Sequence, residues 1–149
     1  MISELAEKIK VSCVHCGATN HYPKDAMGKK VVCGRCKNNL PKPGEVIEPP
    51  SQQFTTLFQH SGLPLLVDFY SPTCVPCQVM HPILENLAQR RAGELMVVKV
   101  NVDQNPELAS AFAVQGVPTF VILFKGNERQ RSVGGMPEAD FSLWVASLV

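Results

Sequence analysis

Three Cys-x-x-Cys pairs constrain this chain more than any other feature: Cys13/Cys16, Cys33/Cys36 and Cys74/Cys77 hold all six cysteines of a 149-residue sequence. A secreted disulfide scaffold spreads its cysteines along the chain, whereas these lie between positions 13 and 77. Paired thiols at this spacing point to metal binding or redox catalysis in a reducing compartment. The first two pairs have sixteen residues between them, within the Cys-x2-Cys-x15–20-Cys-x2-Cys pattern of tetrahedral zinc sites. One structural Zn2+ held by Cys13, Cys16, Cys33 and Cys36 is therefore expected, with Gly17 and Gly34 suiting the tight turns of the two knuckles. Two disulfides are the rival arrangement. His15 and His21 are expected at the surface, since four cysteines already complete the site.

Organisation along the chain divides in two. The segment 1–40 is polar, rich in lysine and short of large apolar residues, so it needs a staple such as a metal to fold. Pro41-Lys42-Pro43-Gly44 and Pro49-Pro50 mark residues 41–50 as a linker. Residues 51–149 then form a domain of ordinary size. There, strand-like and helix-like patterns alternate. Leu63–Tyr70 is an apolar run holding one acid, as in a strand covered on both faces. Val75–Ala92 has helical spacing with Pro82 inside it, where a kink is expected. Leu95–Val102, Pro118–Phe124 and Arg129–Val133 read as strands, and 51–60, Pro106–Ala113 and Pro137–Val149 as helices. This order indicates an α/β fold with a mixed central sheet flanked by helices, preceded by a small zinc-ribbon-like module.

Charge narrows the partners. Residues 1–47 hold eight Lys/Arg against four Asp/Glu, and the remainder six against nine. Four thiolates around zinc would offset much of the N-terminal excess. The basic cluster Lys29, Lys30, Arg35 and Lys37 is accompanied by Tyr22 as its sole aromatic residue, so nucleic acid is disfavoured as a partner. No run approaches the roughly 18 apolar residues of a membrane span, and the opening residues lack the pattern of a secretory signal. A cytoplasmic location with no membrane association is expected.

Ser71-Pro72-Thr73-Cys74-Val75-Pro76-Cys77 falls where a strand ends and a helix begins. Unpaired amides and the positive end of a helix dipole stabilise a thiolate at Cys74. Cys74 is thus the expected attacking sulfur, and Cys77, one turn further in, the resolving one.

These residues carry a family resemblance. From about residue 46 onward, Val67-Asp68-Phe69-Tyr70, the Cys74/Cys77 pair, Val98–Asp103, Gly116-Val117-Pro118-Thr119 and Val133-Gly134-Gly135 together resemble the thioredoxin family. With the zinc-type N-terminus included, the chain resembles the bacterial thioredoxin 2 type. The resemblance implies a protein dithiol–disulfide oxidoreductase that reduces protein disulfides without a bound organic cofactor. Its electrons would come from NADPH through a thioredoxin reductase, and a monomer is expected. It further implies that Asp68 is the buried acid serving Cys77, that Lys99 is its neighbouring lysine, and that Pro118 is the family's cis-proline. Thr73, Val75, Pro76, Val117 and Gly134 would line the substrate groove. Three positions depart from the family: Thr73 and Tyr70 replace common tryptophans, and Val75 replaces the glycine between the cysteines. Val75 leaves open a higher-potential oxidant or isomerase. A zinc-dependent protein- or nucleic-acid-binding module on the same scaffold is a further alternative.

Overall fold

A computed structural model describes residues 8–23, 30–42 and 44–147 of the chain, without the side chains of Lys8 and Tyr22. The opening segment, Lys29, Pro43, the aromatic face of Tyr22 and the last two residues of the expected closing helix lie outside what is described.

A five-stranded sheet organises the fold. Its strands are β3 (Val46–Ile47), β4 (Leu65–Tyr70), β5 (Met96–Asn101), β6 (Thr119–Phe124) and β7 (Asn127–Val133), in the spatial order β3-β5-β4-β6-β7. The β3/β5 and β5/β4 pairs are parallel, whereas β4/β6 and β6/β7 are antiparallel. Helices α1 (Phe54–His60), α2 (Val75–Arg90), α3 (Pro106–Ala111) and α4 (Glu138–Ala146) connect and cover it. Two further strands, β1 (Lys8–Ser12) and β2 (Thr19–Pro23), form a separate antiparallel hairpin.

Side chains alternate between the two faces of each strand, which sorts the core into two clusters. Leu65, Val67 and Phe69 of β4 join Val98, Val100 and Val121 beneath Phe54, Leu57 and Phe58 of α1. Leu66 joins Val97, Phe120 and Ile122 beneath Met80, Leu84 and Leu87 of α2 and Phe141 and Val145 of α4. By the same alternation Asp68 lies on the α2 side with Leu66. Its register partner on β5 is Lys99. Helix α2 buries Cys77, Met80, Leu84, Leu87 and Ala88 along one stripe, and it continues through Pro82 from Val75 to Arg90 without ending there.

Three features depart from expectation. Strand β3 lies inside the stretch expected to be linker, because Val46 and Ile47 close the edge of the sheet against Val97 and Val98. The N-terminal segment contains a hairpin whose lysine-rich sequence concealed its strands: Ile9 and Val11 are buried while Lys10 between them is exposed. Finally, the segment packs on the sheet. Val11 belongs to the α1-side core, and Val14, Val31 and Leu40 pack against it.

A buried polar knot ties hairpin to domain. Ser12 and Ser61 are both fully buried. The Ser12 hydroxyl lies 2.9 Å from that of Ser61 and accepts from the amides of Gly62 (3.0 Å) and Leu63 (3.2 Å). Gly62 approaches so closely that an added Cβ would lie 1.4 Å from the Thr19 hydroxyl oxygen. Removing the Ser12 oxygen leaves the Gly62 amide without its acceptor, whereas the Leu63 amide keeps the Ser61 hydroxyl at 3.1 Å. Ser12→Ala should therefore lower the free energy of unfolding by roughly 1–3 kcal/mol. Urea denaturation checks this, and an unchanged midpoint with unchanged slope would remove the knot from the forces holding the hairpin in place.

Candidate active site and cysteine cluster

Two sites emerge, one at the end of β4 and one in the N-terminal segment. At the first, Tyr70 closes the strand and a short loop leads to Cys74, which occupies the N-cap of α2. The loop is fixed by polar contacts. Ser71 donates to Asp103 at 3.0 Å, and the Gln78 side chain donates to the Pro72 carbonyl at 3.1 Å. Cys74 and Cys77 are joined as a disulfide, with their Cα atoms 5.2 Å apart. The Cys77 amide donates to Cys74 Sγ at 3.2 Å, so the first turn of the helix directs a free N–H at the outer sulfur. Cys74 is partly exposed whereas Cys77 is 4% exposed.

The peptide bond between Val117 and Pro118 is cis, and the Val117 carbonyl lies 3.7 Å from Cys74 Sγ. Gly134 stands beside it, with φ +92° and its amide donating to the Pro118 carbonyl at 2.8 Å. Thr73, Val75 and Pro76 are exposed at the rim. Val75, Pro76, Val79, Ile83 and Met136 line an apolar cavity of about 430 Å³ next to the disulfide.

On neighbouring strands Asp68 and Lys99 are register partners. Asp68 is fully buried, and neither of its carboxylate oxygens has a hydrogen-bond partner among the described residues. Burial pushes its pKa from the ordinary 3.8 up to about 7, against the opposing pull of the Lys99 charge. The Lys99 ammonium lies 4.1 Å from the centre of the Tyr70 ring and 3.3 Å from His81 Nδ1. Tyr70, Cys77, His81 and Lys99, with Ser71, Pro72 and Gln78, enclose an open cavity of about 250 Å³. The Tyr70 hydroxyl donates to Glu48 at 2.5 Å, and burial together with that acid raises its pKa.

Sequence reasoning missed Glu48 and the part played by His81. Glu48 is 22 positions from Tyr70, so no local pattern announces it. His81 did carry a signal: it stands four residues after Cys77, on the same side of the helix.

In the second site, Sγ atoms of Cys13, Cys16, Cys33 and Cys36 all lie within 4.8 Å of one another. The Cys13–Cys36 separation is 3.5 Å and the Cys16–Cys33 separation 3.7 Å. The two knuckles repeat one backbone pattern, in which Gly17 and Lys37 donate to the Cys13 and Cys33 carbonyls at 2.8 and 3.0 Å. The turns place Gly17 and Lys37 at positive φ. Gly34 is not among these positions; its amide instead donates to the Asn20 side chain at 2.9 Å. Amides of His15 and Arg35 point at the Cys13 and Cys33 sulfurs, and side chains of Asn20 and Asn38 at those of Cys33 and Cys36. Backbone and side-chain donors lower the pKa of Cys33, to about 6, and that of Cys36, while burial raises those of Cys13 and Cys16. Four thiolates at these distances suit a tetrahedral cation, for which Zn–S bonds of about 2.3 Å imply S···S separations of about 3.8 Å.

Comparison with known proteins places the redox site in a family. Residues 45–147 match the thioredoxin family. Thioredoxin C-3 of Corynebacterium nephridii is 31% identical over 135 residues, covering 91% of this chain and 92% of that protein. The chain belongs to the thioredoxin family. An alignment of that length cannot fit within residues 45–149, so it takes in part of the cysteine-rich segment as well. Thioredoxin 1 of a Nostoc species is 39% identical over 82 residues, covering 55% of this chain and 77% of that one. A solved thioredoxin variant from Halobacterium salinarum superposes with a TM-score of 0.64 at 31% identity, over 72% of this chain and 94% of that one. With its paired cysteines and its thioredoxin fold, this family member is a protein-disulfide oxidoreductase. Among the described residues no helix is long and apolar enough to cross a membrane.

The buried acid has a thermodynamic consequence. Its folded pKa of about 7 exceeds the ordinary 3.8, so between those pH values the folded chain holds a proton that the unfolded chain has released. Stability should therefore fall as pH rises from about 4 to about 7, by at most roughly 4 kcal/mol. Asp68→Leu should abolish that slope and stabilise the oxidised protein at pH 8 by about 2–4 kcal/mol. Chemical denaturation across this pH range is the measurement, and an equal slope in the variant would assign it to other groups.

Proposed function

We propose that this thioredoxin-family protein is a general reductase of protein disulfides, of the thioredoxin 2 type. The Cys74 thiolate attacks a substrate disulfide, forming a mixed disulfide and releasing one substrate thiol. Cys77 then attacks Cys74 Sγ, closing the Cys74–Cys77 disulfide and releasing the second thiol; two electrons pass from the pair to the substrate. Asp68 accepts the proton that Cys77 must lose, and Lys99 supports the carboxylate once it is charged. The observation that carries this reading is the buried, unpartnered Asp68 carboxyl group on the α2 face of β4, with a pKa of about 7. A group with that pKa exchanges protons readily at neutral pH.

Extended substrate backbone pairs with Val117 beside Pro118, and Thr73, Val75, Pro76 and Gly134 form the rim that meets the substrate. Electrons return from NADPH through a thioredoxin reductase. The protein works as a cytoplasmic monomer on disulfide-bearing proteins, and nucleic acid is not its partner. Residues 1–40 form the metal module, and the connection expected at 41–50 gives up β3 (Val46–Ile47) to the redox domain, which continues through 51–149. Cys13, Cys16, Cys33 and Cys36 hold one structural Zn2+, which supplies cross-linking rather than chemistry.

Val75 favours a second reading. It replaces the family's glycine between the cysteines and is 66% exposed beside the disulfide, where helix entry and thiolate stability set the redox poise. Thiol trapping in defined redox buffers separates the two. A potential near the thioredoxin level of about −270 mV makes the protein a reductase, and one near −180 mV or above makes it an oxidant or isomerase. Cys74→Ser should abolish insulin-disulfide reduction, and undiminished turnover would end the enzymatic reading. Cys33→Ser should reduce zinc content, measured by elemental analysis, from about one per chain to near zero. It should also lower the unfolding midpoint of the whole chain, because Val11 and Val14 share the domain core. A full complement of zinc in that variant would refute the four-cysteine site.

A further inference from the structure

Lys99 faces charged and titratable groups from every element around it. Strand β4 contributes Asp68, its register partner, and Tyr70, whose ring it covers at 4.1 Å. Helix α2 contributes Cys77 and His81 at the same cavity, with Glu85 behind His81. Glu48, just after β3, is bonded to the Tyr70 hydroxyl. Among these the ammonium makes one hydrogen bond, 3.3 Å to His81 Nδ1. It makes none to Asp68, whose two oxygens have no partner among the described residues.

A lysine ammonium only donates, so His81 Nδ1 must be the acceptor. The ring proton of the neutral imidazole is then on Nε2, which lies 3.4 Å from Glu85. Glu85, on the next turn of the same helix, stands on the Nε2 side of the ring, and His81 Nδ1 bonds Lys99 at the exposed edge of the cavity. This acceptor is lost on protonation: Nδ1 takes a proton from solvent, becomes a donor and repels the ammonium. The cavity of about 250 Å³ leaves room for the lysine side chain to swing.

We propose that His81 is a positioning residue that latches Lys99 away from Asp68, and that protonating His81 frees the lysine to move toward the buried carboxylate. The latch keeps Asp68 a proton carrier near neutrality. Its release turns Asp68 into the anionic half of an ion pair and weakens its ability to hold a proton. The inference deepens the reading of Asp68 as the proton acceptor for Cys77, and it rests on that reading for its effect on turnover.

The test reads Asp68 directly, through the pH titration of its carboxyl 13C signal in the oxidised, zinc-loaded full chain. His81→Ala removes the latch and should move the Asp68 midpoint down by about one unit or more, as expected when a cation comes within reach of a carboxylate. His81→Asn keeps an acceptor oxygen near the place of Nδ1 and should leave the midpoint close to that of the parent protein. The site is on a half-exposed stretch of helix, so both variants retain the fold. A midpoint unmoved in His81→Ala would overturn the latch, and so would an equal displacement in His81→Asn. No turnover is involved, so this result is separate from the failure of the reductase reading, which Cys74→Ser decides.

Discussion

Strand β4 has no side facing water, and most of the molecule is arranged around that constraint. Leu65, Val67 and Phe69 fill one face and Leu66 the other. The remaining inward position on the α2 face is Asp68. An isolated charge in such a place is expensive, and the fold lowers the expense by keeping the carboxyl largely protonated below neutrality rather than by pairing it. The geometry follows from strand parity: the side that buries Leu66 beneath α2 also carries Asp68, on the face covered by the helix that holds Cys77. A one-residue slip in β4 would turn Asp68 to the α1 face and separate acid from thiol.

The N-terminal segment depends on the same core from the opposite side. With few large apolar side chains of its own, it gains stability by lending Val11 to the α1-side cluster and by burying Ser12 against Ser61. The two cysteine knuckles bring four sulfurs within 4.8 Å of one another beside these apolar contacts. Gly17 marks how tightly the parts fit. Its φ is +78°, and a Cβ there would lie 2.5 Å from that of His60, at the end of α1. A cysteine knuckle is thus in direct contact with α1.

Much of this was legible in the sequence wherever the signal was periodic or carried by paired cysteines. The apolar run of β4, the helical stripe of α2 and the three Cys-x-x-Cys spacings each follow from local pattern, and the observed elements agree with the reading to within a few residues. Strand β3 escaped because two residues have no period, and the prolines around it indicated a loop. Strands β1 and β2 escaped because their exposed residues include Lys10, Thr19 and His21, so polarity outweighed alternation. The turn glycine expected at position 34 proved to be Lys37, since the left-handed conformation falls four residues after the first cysteine of each knuckle and only Gly17 announces it. Glu48 was out of reach for another reason: its partner Tyr70 lies across two strands, and no local rule links them.

The substitution at position 70 shows how such distant contacts bear on the site. Tyrosine keeps an aromatic face over which Lys99 can rest, so the attraction between cation and ring is retained. It adds a hydroxyl, and that hydroxyl is bonded to Glu48. A negative charge is thereby held near Asp68, where it opposes ionisation of the buried acid, while Lys99 favours it. Burial is the largest influence on Asp68, and Glu48 acts in the same direction. The proton affinity of the buried acid is thus set by β3 and Tyr70 as well as by α2, and the short edge strand hidden among prolines belongs functionally to the redox domain.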